Sequence, residues 1–231
     1  MTAKQLESGR AVILYDDVLL DHAAPALFEA PPHAAGAPGV FGGRGSAWSI
    51  RHGGDEWILR HYRRGGVPGR FIRDTYIWTG LEATRAWREW RLLYYLYKEG
   101  LPVPQPVAAR VVRNGLLYRA DLITRRVAGA SSIAALLAAG GESRVPWGEA
   151  GRSVRLLHDA GVCHADLNAH NLLVDAAAKV YVIDLDRGAR RDAGAWKQAN
   201  LARLQRSLQK LAGSPAVIAP AWAAFLDGYG A

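Results

Sequence analysis

The chain is 231 residues long, half of them hydrophobic, with a single cysteine and a formal net charge of +8. That is enough apolar material for one sizeable core or two small lobes. One cysteine, Cys163, excludes an internal disulfide and a multi-cysteine zinc site, and no run of about 18 apolar residues reads as a spanning helix. The N-terminus MTAKQLESGRAVILY lacks a long apolar stretch and a cleavage site, so no signal peptide is expected and the default address is the cytoplasm. The positive charge calls for an anionic partner: nucleic acid, a phosphorylated substrate or membrane lipid. No helix-turn-helix, RNA-binding aromatic motif or Cys/His finger accompanies it, so nucleic acid is not expected.

In chain order, residues 1–40 read as a strand, Ala11 to Tyr15, followed by an irregular arm rich in proline and alanine. FGGRGSAWSI (41–50) then places Gly43 and Gly45 in a tight turn with Arg44 at its tip, a backbone able to approach phosphate oxygens. Trp57 to Tyr62 is the return strand and carries Arg60. A basic cluster follows, with Arg63, Arg64, Arg70 and Arg73. Thr84 to Lys98 reads as a helix with Trp90, Leu93, Leu96 and Tyr97 near one face and Glu89 available to pair with Arg60. Val107–Val112 and Leu116–Val127 are strands joined by an Asn114-Gly115 turn. After them come helices at Ser132–Ala139, capped by Ser131, and at about Pro146–Ala160.

The densest polar chemistry lies at CHADLNAHNLLVDAAAKVYVIDLDRG (163–188). A polar loop, a strand Leu172–Val174, a turn Asp175–Lys179 and a strand Val180–Ile183 ending on Asp184 would bring Asp166, Asn171 and Asp184 to one point. An Asp two residues after a His, an Asn five further on and an Asp closing the next hairpin is the spacing of kinase catalytic and metal-binding residues. In that reading Asp166 orients an attacking hydroxyl, while Asn171 and Asp184 offer hard oxygen ligands to Mg²⁺ arriving with ATP. The fold class expected is α+β, a two-lobed protein-kinase-like fold: an antiparallel five-stranded N-lobe at 41–127 and a reduced, mainly helical C-lobe at 128–231. Only 43 residues follow Gly188, too few for a polypeptide-binding apparatus, so the acceptor is expected to be a small molecule or a glycolipid head group. Trp196–Leu211 sets Leu201, Leu204, Leu208 and Leu211 on one stripe with Arg203, Arg206 and Lys210 elsewhere; core packing of that stripe is expected, and a helix lying on an anionic bilayer is the other reading of the pattern. Ser214-Pro215 opens a last helix.

LRHYRRGG (59–66), GLPVPQPVAAR (100–110), YRADLITRRVAGA (118–130), HADLNAHNLLVD (164–175), IDLDRG (183–188) and NLARLQRSLQK (200–210) together resemble the Kdo kinases of the lipopolysaccharide kinase family. The resemblance implies ATP-dependent phosphorylation of 3-deoxy-D-manno-octulosonic acid (Kdo) at its 4-hydroxyl on a lipid A precursor. It also implies a peripheral place on the cytoplasmic face of a bacterial inner membrane, with an anionic membrane surface as partner. Asp166 carries over as catalytic base, Asn171 and Asp184 as metal ligands, Arg60 and Glu89 as the phosphate-positioning pair. Arg60 and Asn168 stand where the wider kinase pattern has lysines, which leaves Arg187 and Arg44 as the nearest cations in sequence. A small-molecule kinase of the aminoglycoside or choline type, or a non-catalytic binding protein of the same fold, are the other readings of the motif.

Overall fold

A computed structural model describes residues 2–29, 46–63 and 74–230. The chain divides into two compact units, Met1–Tyr94 with Gln105–Arg126, and Tyr95–Pro104 with Val127–Ala231. The glycine-rich turn with Gly43, Arg44 and Gly45, and the basic positions Arg64, Arg70 and Arg73, lie outside the described residues.

The first unit is built on an antiparallel sheet of β1 (Ala3–Ser8), β2 (Ala11–Asp16), β3 (Ser46–His52), β4 (Asp55–His61), β5 (Tyr76–Ile77), β6 (Pro106–Asn114) and β7 (Leu117–Arg125). Its order is β1-β2-β6-β7-β4-β3, with β5 on the flank of β7. Seven described strands replace the five expected. The two additions carry weak sequence signals: β1 is a mostly polar, exposed edge, AKQLES, and β5 is two residues long. The β6–β7 turn falls at Asn114-Gly115 as expected, with Gly115 at φ 60°, a left-handed conformation that costs glycine little.

Ile13, Tyr15, Trp57, Leu59, Val107, Ala108 and Ile123 form the core, and Leu20, Ala23 and Phe28 join them from the segment expected to be an irregular arm. Arg110 holds that segment. Its guanidinium lies 4.8 Å from the Phe28 ring centroid and donates to the carbonyls of Pro25 and Phe28 at 3.3 and 3.4 Å. Asp121, nearly buried, accepts from Arg110 Nε at 2.7 Å and pairs with His61. The helix α1 (Arg85–Lys98) buries Trp87, Trp90, Leu93 and Leu96, whereas Tyr97, expected on that face, is exposed.

The second unit contains α2 (Ile133–Ala138), α3 (Trp147–Asp159), α4 (Trp196–Ala212) and α5 (Pro215–Tyr229), with β8 (Ser131–Ser132), β9 (Val162–Cys163), β10 (Leu172–Val174), β11 (Val180–Val182) and β12 (Ala189–Arg190). Ser132 rather than Ser131 caps α2, its Oγ accepting from the Ala135 N–H at 3.1 Å; Ser131 lies in β8 instead, paired with Val174. Helices α3 and α5 cross with their backbones in contact at glycines. A Cβ at Gly151 would run into the backbone of Phe225 and Tyr229, and one at Gly228 into that of Gly148. The hairpin β10–β11 docks on α3 through Ser153 Oγ, which donates to the Val180 carbonyl at 2.8 Å. Among the described residues, no helix is long and apolar enough to cross a membrane.

Candidate active site

The loop between β9 and β10 is held by its own side chains. His164 is fully buried, and its Nδ1 accepts from the Asp166 N–H at 3.1 Å while its Nε2–H donates to the Ile183 carbonyl at 3.0 Å. Burial pushes the imidazole pKa down, which keeps the neutral tautomer that these two bonds require. The Asp166 carbonyl accepts from both Asn168 Nδ2 and Asn171 Nδ2 at 2.9 Å. Asp166 is thus fixed at its N–H and at its carbonyl, with the carboxylate projecting outward at 63% side-chain exposure.

Ile183 connects this loop to the end of the hairpin. Its N–H donates to the Asn171 carbonyl at 3.0 Å and its carbonyl accepts from His164, so the backbone just before Asp184 is clamped between the two halves of the loop. Asp184 itself has φ 60°. Aspartate tolerates the left-handed region better than most residues, yet the conformation costs energy and follows directly on the two bonds that clamp Ile183. The turn between the strands is an Asx-type turn, as expected for 175–179, with Asp175 Oδ1 accepting from the N–H groups of Ala177 and Lys179 at 2.9 Å each.

Helix α4 supports the loop from one stripe. Asn200 accepts from the His164 N–H and donates to the His164 carbonyl, both at 3.0 Å; Arg203 Nη1 lies 2.9 Å from Asp166 Oδ1; Ser207 Oγ accepts from the Ala169 N–H at 3.2 Å. Positions 200, 203 and 207 follow the three-then-four spacing of one helix face. Leu201, Leu204 and Leu208 bury the adjacent face as expected, and Leu211 does not, being 39% exposed. Beneath the loop, Asn200 also accepts from His158 Nε2 at 3.4 Å, and His158 Nδ1 accepts from the Tyr229 hydroxyl at 2.9 Å. Burial lowers the His158 pKa to about 4, leaving it neutral in this chain of bonds. Cys163 is buried beside it, its Sγ 3.9 Å from Asn200 Nδ2.

In the first unit, Arg60 on β4 pairs with Glu89 on α1, and Tyr62 completes a triangle. The Tyr62 hydroxyl donates to Glu89 and accepts from Arg60 Nη2 at 3.1 Å, while the Arg60 guanidinium lies 4.8 Å from the Tyr62 ring centroid. Burial first, and then the Glu89 charge, raises the Tyr62 pKa well above its ordinary value, so the phenol remains a donor. A buried carboxylate at 2% side-chain exposure needs such partners, because an uncompensated charge there is costly.

The expected pair Arg60–Glu89 is therefore formed, and the loop bonds bring Asp166, Asn171 and the start of Asp184 together. Arg187 is exposed at φ 64°, and Asn168 is committed to its own turn, accepting from the His170 N–H at 2.8 Å. Tyr62, Asn200, Arg203 and Ser207 are not among the site residues the sequence singles out. A signal for three of them is present in NLARLQRS, where Asn, Arg and Ser line one helical stripe beside the leucines. Among the described residues no three His, Cys, Asp or Glu side chains cluster as a metal cage. The Asn171 amide oxygen and the Asp184 carboxylate are nonetheless hard donors of the kind Mg²⁺ takes when phosphates supply its other ligands. With its Nδ2 tied to the Asp166 carbonyl, Asn171 has a fixed amide plane.

A model of the Lipopolysaccharide kinase (Kdo/WaaP) family matches residues 39–229. A protein of Stenotrophomonas maltophilia (strain K279a) named 3-deoxy-D-manno-octulosonic acid kinase is 44% identical over 214 residues, which cover 90% of this chain and 84% of that one. Proteins of the same name from Photobacterium profundum and Vibrio parahaemolyticus are 41% and 37% identical. The first match covers 94% of each chain, the second 90% of this chain and 88% of its relative.

Proposed function

The chain belongs to the Lipopolysaccharide kinase (Kdo/WaaP) family, and on that premise we propose that it is a kinase with a two-lobed, protein-kinase-like arrangement that transfers the γ-phosphoryl group of ATP to the 4-hydroxyl of Kdo on a lipid A precursor, a step of lipopolysaccharide core assembly. The observation that carries the reading is the double clamp on Ile183, which fixes the approach to Asp184 against both His164 and Asn171. The names of the relatives supply the sugar.

In the mechanism, the acceptor oxygen attacks the γ-phosphorus, its proton passes to the Asp166 carboxylate, the bond to the β–γ bridging oxygen breaks and ADP leaves. Asp166 afterwards returns the proton to solvent. The loop serves this step by immobilising the Asp166 backbone and leaving its carboxylate exposed, so the carboxylate meets the hydroxyl without reorganisation. Asn171 and Asp184 would hold Mg²⁺, which when bound neutralises phosphate charge. Arg60, oriented by Glu89 and Tyr62, binds nucleotide phosphate; its planar fork favours paired contacts to phosphate oxygens. The glycine turn with Gly43, Arg44 and Gly45 is assigned the same task from sequence. The enzyme works peripherally at the cytoplasmic face of the inner membrane, drawn to anionic lipid by charges that include Arg63, Arg64, Arg70 and Arg73.

The test is phosphoryl transfer from labelled ATP to a detergent-solubilised Kdo-lipid A precursor, set against a panel of soluble amino sugars. Transfer only to the soluble panel overturns the substrate assignment in favour of a small-molecule kinase, and transfer to neither overturns catalysis. Asp166→Ala should fold, bind Mg-ATP and turn over at least about 10²-fold more slowly. Asp184→Asn should weaken Mg-dependent nucleotide binding as well; unchanged affinity would remove Asp184 from metal binding.

A further inference from the structure

From α4 comes a charge that the motif reading does not include. We infer that Arg203 is a catalytic residue: its guanidinium, seated against Asp166, donates to the γ-phosphoryl oxygens during transfer and is the cation of the catalytic loop. The inference rests on the reading of Asp166 as the carboxylate that takes the acceptor proton.

Four observations lead there. Arg203 Nη1 stands 2.9 Å from Asp166 Oδ1, so whatever meets that carboxylate also meets the guanidinium. The Arg203 side chain is 50% exposed, hence one edge of its fork can hold Asp166 while the remaining N–H groups face solvent, where a substrate would approach. Its position comes from structure rather than from a chance surface pairing: Asn200, one turn before, and Ser207, one turn after, are bonded to the same loop at His164 and Ala169, and Asn200 is buried. Asn168, the loop residue closest in sequence to Asp166 on its C-terminal side that carries a long polar group, spends both ends of its amide inside the loop, on the Asp166 carbonyl and the His170 N–H.

The chemistry requires such a group. A transferring phosphoryl group spreads negative charge over its equatorial oxygens, and it does so here beside a carboxylate, which by itself would repel it. A guanidinium fixed in place before the reaction stabilises that charge without reorganising, and it cannot lose its own charge to the neighbouring base. Arg203 also keeps the Asp166 carboxylate on one rotamer. As the acceptor proton arrives on Asp166, the ion pair weakens and the N–H groups of the guanidinium already facing the phosphoryl oxygens bond more strongly to them, at the point where their charge is greatest.

The experiment compares Arg203→Ala, Arg203→Lys and Arg206→Ala with Asp166→Ala and the unaltered protein, measuring kcat and KM for Mg-ATP and for the Kdo-lipid A precursor, nucleotide affinity by calorimetry and the thermal midpoint. Arg206 is exposed on the same helix and serves as the control for lost positive charge. Arg203→Ala should lose about 10²- to 10³-fold in kcat, the size of one lost transition-state donor. Both KM values and nucleotide affinity should stay within about threefold. Arg203→Lys should recover about tenfold of the loss, and Arg206→Ala should be unchanged.

Turnover of Arg203→Ala within about threefold of normal, with Asp166→Ala inactive, overturns the inference and leaves the kinase reading standing. A rise in acceptor KM at unchanged kcat also overturns it, making Arg203 a ground-state binder. If the thermal midpoint of Arg203→Ala falls with activity and Arg203→Lys recovers neither, its role is structural and the inference fails. Sustained turnover by Asp166→Ala would instead remove the reading on which it rests.

Discussion

Replacing Asn200 with leucine tests whether α4 holds the loop between β9 and β10. The two side chains share a branched outline and leucine is the larger, so no cavity is created and the cost comes from bonds left unmade, with any overpacking adding to it. Asn200 satisfies the His164 N–H and carbonyl at 3.0 Å each and the His158 Nε2–H at 3.4 Å, all three buried. A buried polar group stripped of its partner costs about 1–3 kcal/mol. The long His158 bond belongs at the low end of that range, and some relaxation around the leucine is expected, so the total is on the order of 4 kcal/mol. For a domain stable by about 5–15 kcal/mol that is a large fraction. Urea denaturation is the assay, with hydrogen exchange of α3 and α5 amides reporting on the second unit. At a slope of roughly 1–3 kcal/mol per molar urea, the midpoint should fall by more than about 1 M, and activity should drop even where the variant remains folded. A loss of less than about 1 kcal/mol would refute the idea that Asn200 is the loop's principal support.

Tyr62→Phe removes the donor to buried Glu89 and the acceptor for Arg60; a destabilisation of about 1–3 kcal/mol and a raised KM for Mg-ATP are expected, and an unchanged KM would mean that Arg60 orients without the phenol. Gly151→Ala should destabilise by at least about 1–3 kcal/mol because the new methyl meets backbone rather than a movable side chain, and a neutral outcome by thermal denaturation would show that α3 and α5 are spaced more widely. Stability should also fall in acid through His158, whose folded pKa of about 4 lies below the unfolded value of 6.5. Between those values the unfolded chain takes up a proton that the folded protein refuses, so the contribution is complete above about pH 6.5, declines as pH falls and levels off below about 4, for a loss of up to about 3 kcal/mol. His158→Gln should flatten the stability profile between about pH 7 and about pH 4.5; an identical slope in both proteins rejects His158 as its source.

The elements with strong local patterns were legible in the sequence, and the contacts between them were not. The hairpin at 172–182 and the glycine turn at 115 announce themselves through apolar runs and turn chemistry, and the Arg60–Glu89 pair follows from a strand charge and a helix charge in a known motif. Leu201, Leu204 and Leu208 fit the helical period as core residues. The polar stripe beside them gives no comparable signal, because a charged or amide side chain on an amphipathic helix usually faces water, and nothing local says that Asn200 is buried against His164. Tyr62 is hidden for a related reason: its hydroxyl matters only once α1 packs on the sheet, a contact between residues 27 positions apart. Strand β1 is obscured by composition, since a polar edge pairs through its backbone and leaves no apolar alternation to read.

The burial of Cys163 gives the molecule an internal clock. The chain has only this thiol, and it is buried next to Asn200 on the strand that leads into the loop carrying Asp166. A reagent labels it when that region opens, so under conditions where reclosing outpaces labelling, the labelling rate divided by the rate for an unstructured thiol gives the opening equilibrium. Fluctuations of the loop support are thereby readable by mass spectrometry in the unaltered protein, with and without nucleotide, and no engineered probe is needed to follow them.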